Sequence, residues 1–435
     1  MKRTFNEMSE WIAHIRTRPE MYIGNIQGGS HPKDGVYTML HQIMTFCLDE
    51  HRKGFGNRIV VDLKDEHTLA IRDFSRGIAF EKLLDFVTLD NRDEDREQST
   101  LYHRMGYNGY GFAVVNALSA RFELSSFRDG VVQRVLFEKG VLIGSQSQAT
   151  LEKNGIKVVF TLDKSISDNF MFSENMVFTA LRYATYLNKG LEIVFDGTSL
   201  RSDNGLSDLL EAHKPYKDAY LYPIIRILDE DMEIAFTHSR LFGETFSFVN
   251  GFQTLDGGTH LTAFKEIVSS VILALYPEEK FVKEDVFYGL CGAVSIQMKE
   301  VYMEQGNPWE LFSVYHSREP SCTLHEWMDN VLRPKLQAYF NNNPDACTAI
   351  HEIISYAKEQ REFSQTCMAM DIPSLVELWN DGVTLQRLNT EQLHSIINAF
   401  HSKKVKTVHM QRGRAVPLRK RIRYDESYAI IYCEN

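Results

Sequence analysis

The sequence has no C-x-x-C pair: Cys47, Cys291, Cys322, Cys347, Cys367 and Cys433 lie scattered along the chain. That excludes the usual zinc knuckle and a dense disulfide frame, and it reads as the thiols of a reducing cytoplasm. No apolar run reaches about 18 residues, so no membrane-spanning helix is expected. The opening segment MKRTFNEMSEWIAHI lacks the apolar core of a signal peptide. Internal repeats and low-complexity segments are missing too. There is no excess of positive charge, since 48 Lys and Arg face 58 Asp and Glu for a net −10. The whole chain is therefore no general polyanion binder. Basic residues gather in one place, with nine Lys or Arg and no acid between Lys403 and Arg423. A phosphate-backbone contact and a solvated tail are both open readings of that stretch.

What is present is an ordinary globular balance over 435 residues, 43% hydrophobic and 24% charged. That length suits two or three domains. Periodicity predicts helices over 5–16, 35–52, 175–187, 261–275, 323–341 and 344–362. Strands are expected at 58–63, 68–72, within 121–146, and at 157–162, 191–195, 220–228, 232–237, 244–249, 289–298 and 428–433. Strands and helices mixed with short connections imply an α/β or α+β architecture. The expected domains are 1–217, 218–365 and a small extension, 366–435.

The most informative stretch is Gly106-Tyr-Asn108-Gly109-Tyr110-Gly111, followed by Phe112-Ala-Val114-Val115-Asn116-Ala117-Leu118-Ser119. A glycine turn that feeds a helix aims free N–H groups and the positive dipole end outward, which suits phosphate. A tight loop before a core helix is the plainer reading of the same residues. The charged loop 90–98 just before it reads as a solvated loop or a lid. Asp73-Phe74-Ser75-Arg76-Gly77-Ile78 forms a turn whose carboxylate can cap backbone N–H groups or accept from an exocyclic amine.

Together these pieces resemble the B subunits of bacterial DNA gyrase and topoisomerase IV. Arg18-Pro-Glu-Met-Tyr-Ile-Gly24 is similar to the family's RPGMYIG, and Asp73 with Arg76-Gly77-Ile78 to its D-x-G-R-G-I. The glycine stretch resembles GLHGVG…VVNALS. Phe248-Val249-Asn250, Thr254, Gly257-Gly258-Thr259-His260, Glu284-Asp285-Val286 and Asn343-Pro344 follow in family order. The resemblance implies a Bergerat-type GHKL ATP-binding domain, then a transducer domain with a ribosomal-protein-like βαβ fold. It implies ATP contacts from Asp73, Arg76, Gly77, Ile78, Gly106, Asn108, Gly109, Gly111 and Val114. Implied partners are a second copy or topoisomerase-like subunits, and DNA through the transducer and Lys403–Arg423.

The sequence departs from that pattern where the chemistry lies. Gln42 stands at the general-base position and Phe46 at the Mg²⁺-ligand position, with Asp49-Glu50 fixing the alignment. A Gln cannot take a proton from water, and such a base is typically worth about 10²–10⁴ in rate. Phe46 offers no oxygen to a hard cation. Ser75, Asn108, Tyr110 and Ile156 replace further family residues, and no Gln-Thr-Lys occurs after Met298. These departures lead to the expectation of a cleft without Mg²⁺ and without hydrolysis. Asp49 or Glu50 would be the substitute bases. No Glu-Gly-Asp-Ser-Ala and no Asp-x-Asp is found, so this polypeptide is not expected to cut DNA by itself.

Overall fold

The computed structural model describes residues 5–88, 111–240, 243–298, 301–304, 307–317, 321–369, 385–388, 408–410 and 429–433. Helix α1 (Phe5–Thr17) precedes a short turn of helix, α2 (Glu20–Ile23), and the long helix α3 (Gly35–Arg52). The expected bounds of α3 coincide with the observed ones. Asp34 caps it, its carboxylate accepting from the N–H groups of Val36, Gln27 and Gly29. Strands β1 (Arg58–Asp65) and β2 (Thr68–Asp73) lead to α4 (Leu83–Thr88), and α5 (Gly111–Leu118) runs straight into β3 (Ser119–Arg128). Then come β4 (Val131–Glu138), β5 (Val141–Ala149), β6 (Gly155–Leu162), α6 (Glu174–Leu187), β7 (Glu192–Phe195), β8 (Thr198–Arg201) and α7 (Leu206–Ala212).

The eight strands form one mixed sheet in the order β5-β4-β3-β6-β2-β1-β7-β8. β1 and β7 pair in parallel and the other neighbours pair antiparallel. The β7–β8 turn is Asp196-Gly197 with φ 44° and 84°, a two-residue hairpin that needs positive φ at both positions. The register Arg72↔Lys157 sets the end of β2 beside the start of β6, which positions Asp73 next to Ile156.

A second sheet follows from β9 (Ile225–Leu228), β10 (Met232–His238), β11 (Glu244–Val249), β12 (Phe252–Gln253) and β14 (Leu290–Ile296). Its order is β12-β11-β14-β10-β9, with β11 parallel to β14. Between β12 and β14 lie β13 (Gly257–Gly258), α8 (Thr259–Ala274) and α9 (Lys283–Phe287). One face of this sheet carries α6 and α7: Tyr186, Leu206, Leu209 and Leu210 pack on Phe246, Phe248, Ala235 and Ala293. On α8, Phe264 meets Phe236 edge-on. Expected strand 220–228 shortens to β9, because Pro223 has no N–H for a ladder.

Four short strands then form two small sheets: β15 (Met303–Glu304) and β16 (Asn307–Leu311) with β13, and β17 (Tyr315–Ser317) with β18 (Cys322–Thr323). Helix α10 (Leu324–Asn342) buries Leu324, Met328, Leu332, Leu336 and Phe340, one stripe at four-residue spacing. Helix α11 (Pro344–Ala369) is followed by β19 (Leu385–Leu388), β20 (Val408–Met410) and β21 (Ala429–Cys433), ordered β19-β21-β20.

The described chain divides into two compact units, 1–268 with 290–342 and 269–289 with 343–435. Both sheets of eight and five strands belong to the first. In the second, Arg361 of α11 makes two bonds to Asp285 of α9, at 2.8 and 3.1 Å. The rest of the basic stretch Lys403–Arg423, outside β20, lies outside the described residues.

In the first unit Arg16 ties α1 to the sheet, donating to the Ala117 carbonyl and to the Asp163 carboxylate. Burial would raise the Asp163 carboxyl, but Arg16 and the Ser165 N–H override it and hold its pKa at about 2. A carboxyl lowered from its ordinary value of 3.8 contributes stability above that value and loses it as pH falls through 2. Arg16→Met should therefore cost about 1 kcal/mol at neutral pH, allowing for solvent screening. Urea unfolding at successive pH values checks it: the gap between variant and parent should shrink in acid.

Candidate functional site

Helix α3 separates two environments. Its helical repeat puts Gln42, Phe46 and Asp49 on one face and Leu40, Met44 and Leu48 on the opposite one. The second face lines a cavity of about 70 Å³ shared with Tyr183, Phe248, Phe252 and Trp309. That space would hold a few waters. Its walls are mostly apolar, and Asp73, Arg76, Gly77 and Gly111 are not among the residues that line it. The candidate site is on the first face.

Asp73, at the end of β2, is 1% exposed. Its Oδ1 accepts the Ile156 N–H at 2.7 Å and the Ser75 N–H at 3.4 Å. Its Oδ2 is buried, and the Cys47 thiol is a side-chain donor beside the carboxylate. Burial pushes the carboxyl pKa up, against the lowering by the Ile156 and Ser75 bonds. The Cys47 thiol stands beside it, its pKa raised first by burial and then by the Asp73 charge. The Arg72 guanidinium lies between the Phe74 and Phe127 rings and bonds the carbonyls of Asp73, Ile156 and Lys153. It locks the strand ends that carry the carboxylate.

Gly155 has φ 134°, and a Cβ there would sit 2.4 Å from the Asp73 carbonyl and 2.7 Å from Asp73 Oδ1. Glycine is required by both backbone angle and space. Gly155→Ala should cost about 2 kcal/mol through strain and collision, and it should displace the Asp73 carboxylate. Thermal unfolding reads the first effect and ligand titration the second.

Other expected contacts take different roles. The Arg76 guanidinium is held by Glu50 through bonds of 2.9 and 2.7 Å and lies over the Phe55 ring at 3.9 Å. Glu50 is thus committed to Arg76, which leaves it unsuited to act as a substitute base. Ile78 exchanges two bonds with the Ser126 hydroxyl, so its backbone braces the turn. Gly77 packs close to the carbonyls of Phe127 and Gly155. Gly111 begins α5 and Val114 is a buried core residue on it. Gly106, Asn108, Gly109 and Tyr110 lie outside the described residues.

Phe46 meets Phe86 of α4 at 5.4 Å and Phe112 of α5 at 5.9 Å, with Phe86 and Phe112 4.9 Å apart. All three contacts are edge-on, the geometry aromatic rings favour. Phe112 continues through Phe122 to Phe137 into the sheet. Sequence reasoning does not assign Phe86, Phe112, Cys47 or Gly155 to the site. A signal existed for Phe112, which directly follows the last glycine of the motif.

A buried carboxylate accepts from N–H, O–H or S–H donors, and at Asp73 the Ile156 and Ser75 N–H groups and the Cys47 thiol supply them. A hard divalent cation asks for several oxygen ligands, and at the position implied for its ligand the site presents Phe46 among aromatic edges.

Comparison with known proteins decides the family. A family model described as DNA gyrase B matches residues 183–305. The B subunit of DNA topoisomerase 4 from Borreliella burgdorferi is 35% identical over 294 residues, 67% of this chain and 49% of its own. The chain carries a DNA gyrase B-like N-terminal ATPase region. The B subunit of DNA gyrase from Helicobacter pylori is 28% identical over 384 residues, 81% of this chain and 48% of that protein. The gyrase B-like chain thus spans about half the length of these curated relatives. The solved 43K ATPase domain of Thermus thermophilus gyrase B, in complex with an aminocoumarin, shares its fold at TM-score 0.63 and 24% identity, covering 83% of this chain and 99% of that one. The ATPase region of Saccharomyces cerevisiae topoisomerase II does so at TM-score 0.61 and 16% identity, covering 82% and 98%. The gyrase B-like region is a mixed α/β GHKL fold, as its sequence implied. No described helix is long and apolar enough to cross a membrane.

Proposed function

We propose that this gyrase B-like region is a non-hydrolysing relative of the topoisomerase ATPase and acts by binding. The observation that carries this reading is Phe46, packed edge-on against Phe86 and Phe112 at the place implied for a metal ligand. Three supports accompany it. Gln42 cannot serve as a base, Glu50 is occupied by Arg76, and the rings give charge on a phosphate no counterpart. The base end keeps its acceptor in Asp73 Oδ2. Candidate partners are a second copy of the chain and, after the relatives' names, a topoisomerase subunit and DNA, the last through the five-stranded domain and Lys403–Arg423. A cytoplasmic setting fits the scattered thiols.

A second reading keeps hydrolysis, and the 35% identity to the B subunit of a topoisomerase 4 supports it. Here the region is an ATP-gated clamp with another base, Asp49 being the remaining candidate. Phosphate release from ATP with Mg²⁺ separates the two. The first reading expects a rate at background, unchanged in Gln42→Ala and Asp49→Asn. Mg²⁺-dependent release abolished by either variant contradicts it.

A further inference from the structure

We infer that the cavity between α3, α6 and the β11–β12 hairpin binds a small neutral alcohol of about three or four carbons, its hydroxyl held by His41. Met44 and Leu48, on the face of α3 opposite Phe46 and Asp49, line this cavity, so the site does not depend on the non-hydrolysing reading.

Helix α3 is tied to the connections of the five-stranded sheet at both ends. Before it, Lys33 donates to both carboxylate oxygens of Asp256, between β12 and β13. In its last turn Arg52 donates to the Gln297 side chain, just after β14, at 3.1 Å. Between these ties the walls do not close. The side chains that face the gap forgo packing contacts that a guest would supply.

The walls set the chemistry of the guest. No Asp, Glu, Lys or Arg lines the cavity, so a charged guest would leave water without gaining a counter-ion. Phe248, Phe252 and Trp309 suit an apolar body. Several polar liners are already used: the Tyr37 hydroxyl by the Gly29 carbonyl and the Ser173 N–H, and the Thr45 and Thr179 hydroxyls by the His41 and Asn175 carbonyls. The side chains of His41 and Gln253 make no hydrogen bond among the described residues, and the His41 ring meets Phe252 edge-on at 5.3 Å. Burial lowers the His41 pKa to about 4, so at neutral pH one ring nitrogen donates and the other accepts. A hydroxyl is donor and acceptor in one atom and matches either nitrogen. Volume decides the size. An apolar cavity of about 150 Å³ takes benzene, so about 70 Å³ admits roughly three or four carbons and no six-membered ring.

The full chain, labelled with ¹³C at the methionine methyls and titrated with 1-butanol, butyrate and butylammonium, tests the inference by nuclear magnetic resonance. 1-Butanol should shift the Met44 and Met176 signals saturably, with a Kd of about 1–10 mM. The buried Met232 and Met328, which do not line the cavity, should stay unmoved. Butyrate and butylammonium should bind at least about tenfold more weakly. His41→Phe keeps a ring and removes the partner of the hydroxyl, and it should weaken 1-butanol about tenfold. Ala180→Leu, at a half-buried position of α6, fills the cavity and should abolish the saturable shifts.

Unsaturable shifts spread over all the methionines would overturn the inference. Butyrate or butylammonium matching 1-butanol would do so too, as would full affinity in folded His41→Phe. If His41→Phe does not fold, saturable shifts retained in Ala180→Leu would overturn it instead.

Discussion

Phe112→Ala is expected to lower stability by about 3–5 kcal/mol, read as the shift in urea midpoint at unchanged slope. Phe112 is 2% exposed and sits at the junction of two aromatic groups. It touches Phe46 and Phe86 on one side and Phe122 on the other. Removing its ring takes away buried apolar area and three edge-on contacts, and it leaves a cavity that helices α4 and α5 cannot close without moving. Phe46 is only half-buried, so Phe46→Ala should cost less, about 1–2 kcal/mol. The two losses should not add, because the rings touch and each mutation removes part of the other's partner. Additive losses would show that Phe46 and Phe112 do not pack as a unit.

Acid should destabilise the protein well above the range where carboxylates titrate. Burial lowers His41 to about 4 and His260 to about 3, from an ordinary 6.5. His41 lies edge-on to Phe252, and His260 bonds Thr254 at 3.1 Å. The folded protein excludes a proton that the unfolded chain accepts. Stability from both groups is therefore complete above pH 6.5 and falls as pH drops toward 4 for His41 and toward 3 for His260. Each can contribute about 2–3 kcal/mol across its window. His260→Gln should flatten that slope by roughly half, in urea unfolding followed from neutral pH to about pH 4. An unchanged slope would mean that His260 is protonated in the fold.

Much of the architecture is legible in the amino-acid pattern. The α3 stripe, its Asp34 cap and the polar end at Lys53-Gly54 bound one helix without ambiguity. The alternating strands and the Asp196-Gly197 turn mark the hairpins of the large sheet. The small strands β13 and β15–β18 escape such a reading, because most span only two or three residues and such lengths carry no period.

Half of the candidate site is legible in the same way. Asp73 and Phe46 stand at positions a motif can point to. The Phe46–Phe86–Phe112 contact cannot be read that way, since those residues belong to three helices that only folding brings together. Arg76 shows the opposite problem: its motif suggests a ligand contact, and its partner Glu50 lies 26 positions away on α3.

The most direct test of the non-hydrolysing reading is the heat of ATP binding, titrated with and without Mg²⁺. The two isotherms should coincide, because the Phe46 ring stands at the position that the resemblance gives to a metal ligand. A tightening of about tenfold or more on adding Mg²⁺, lost again in chelator, would contradict it.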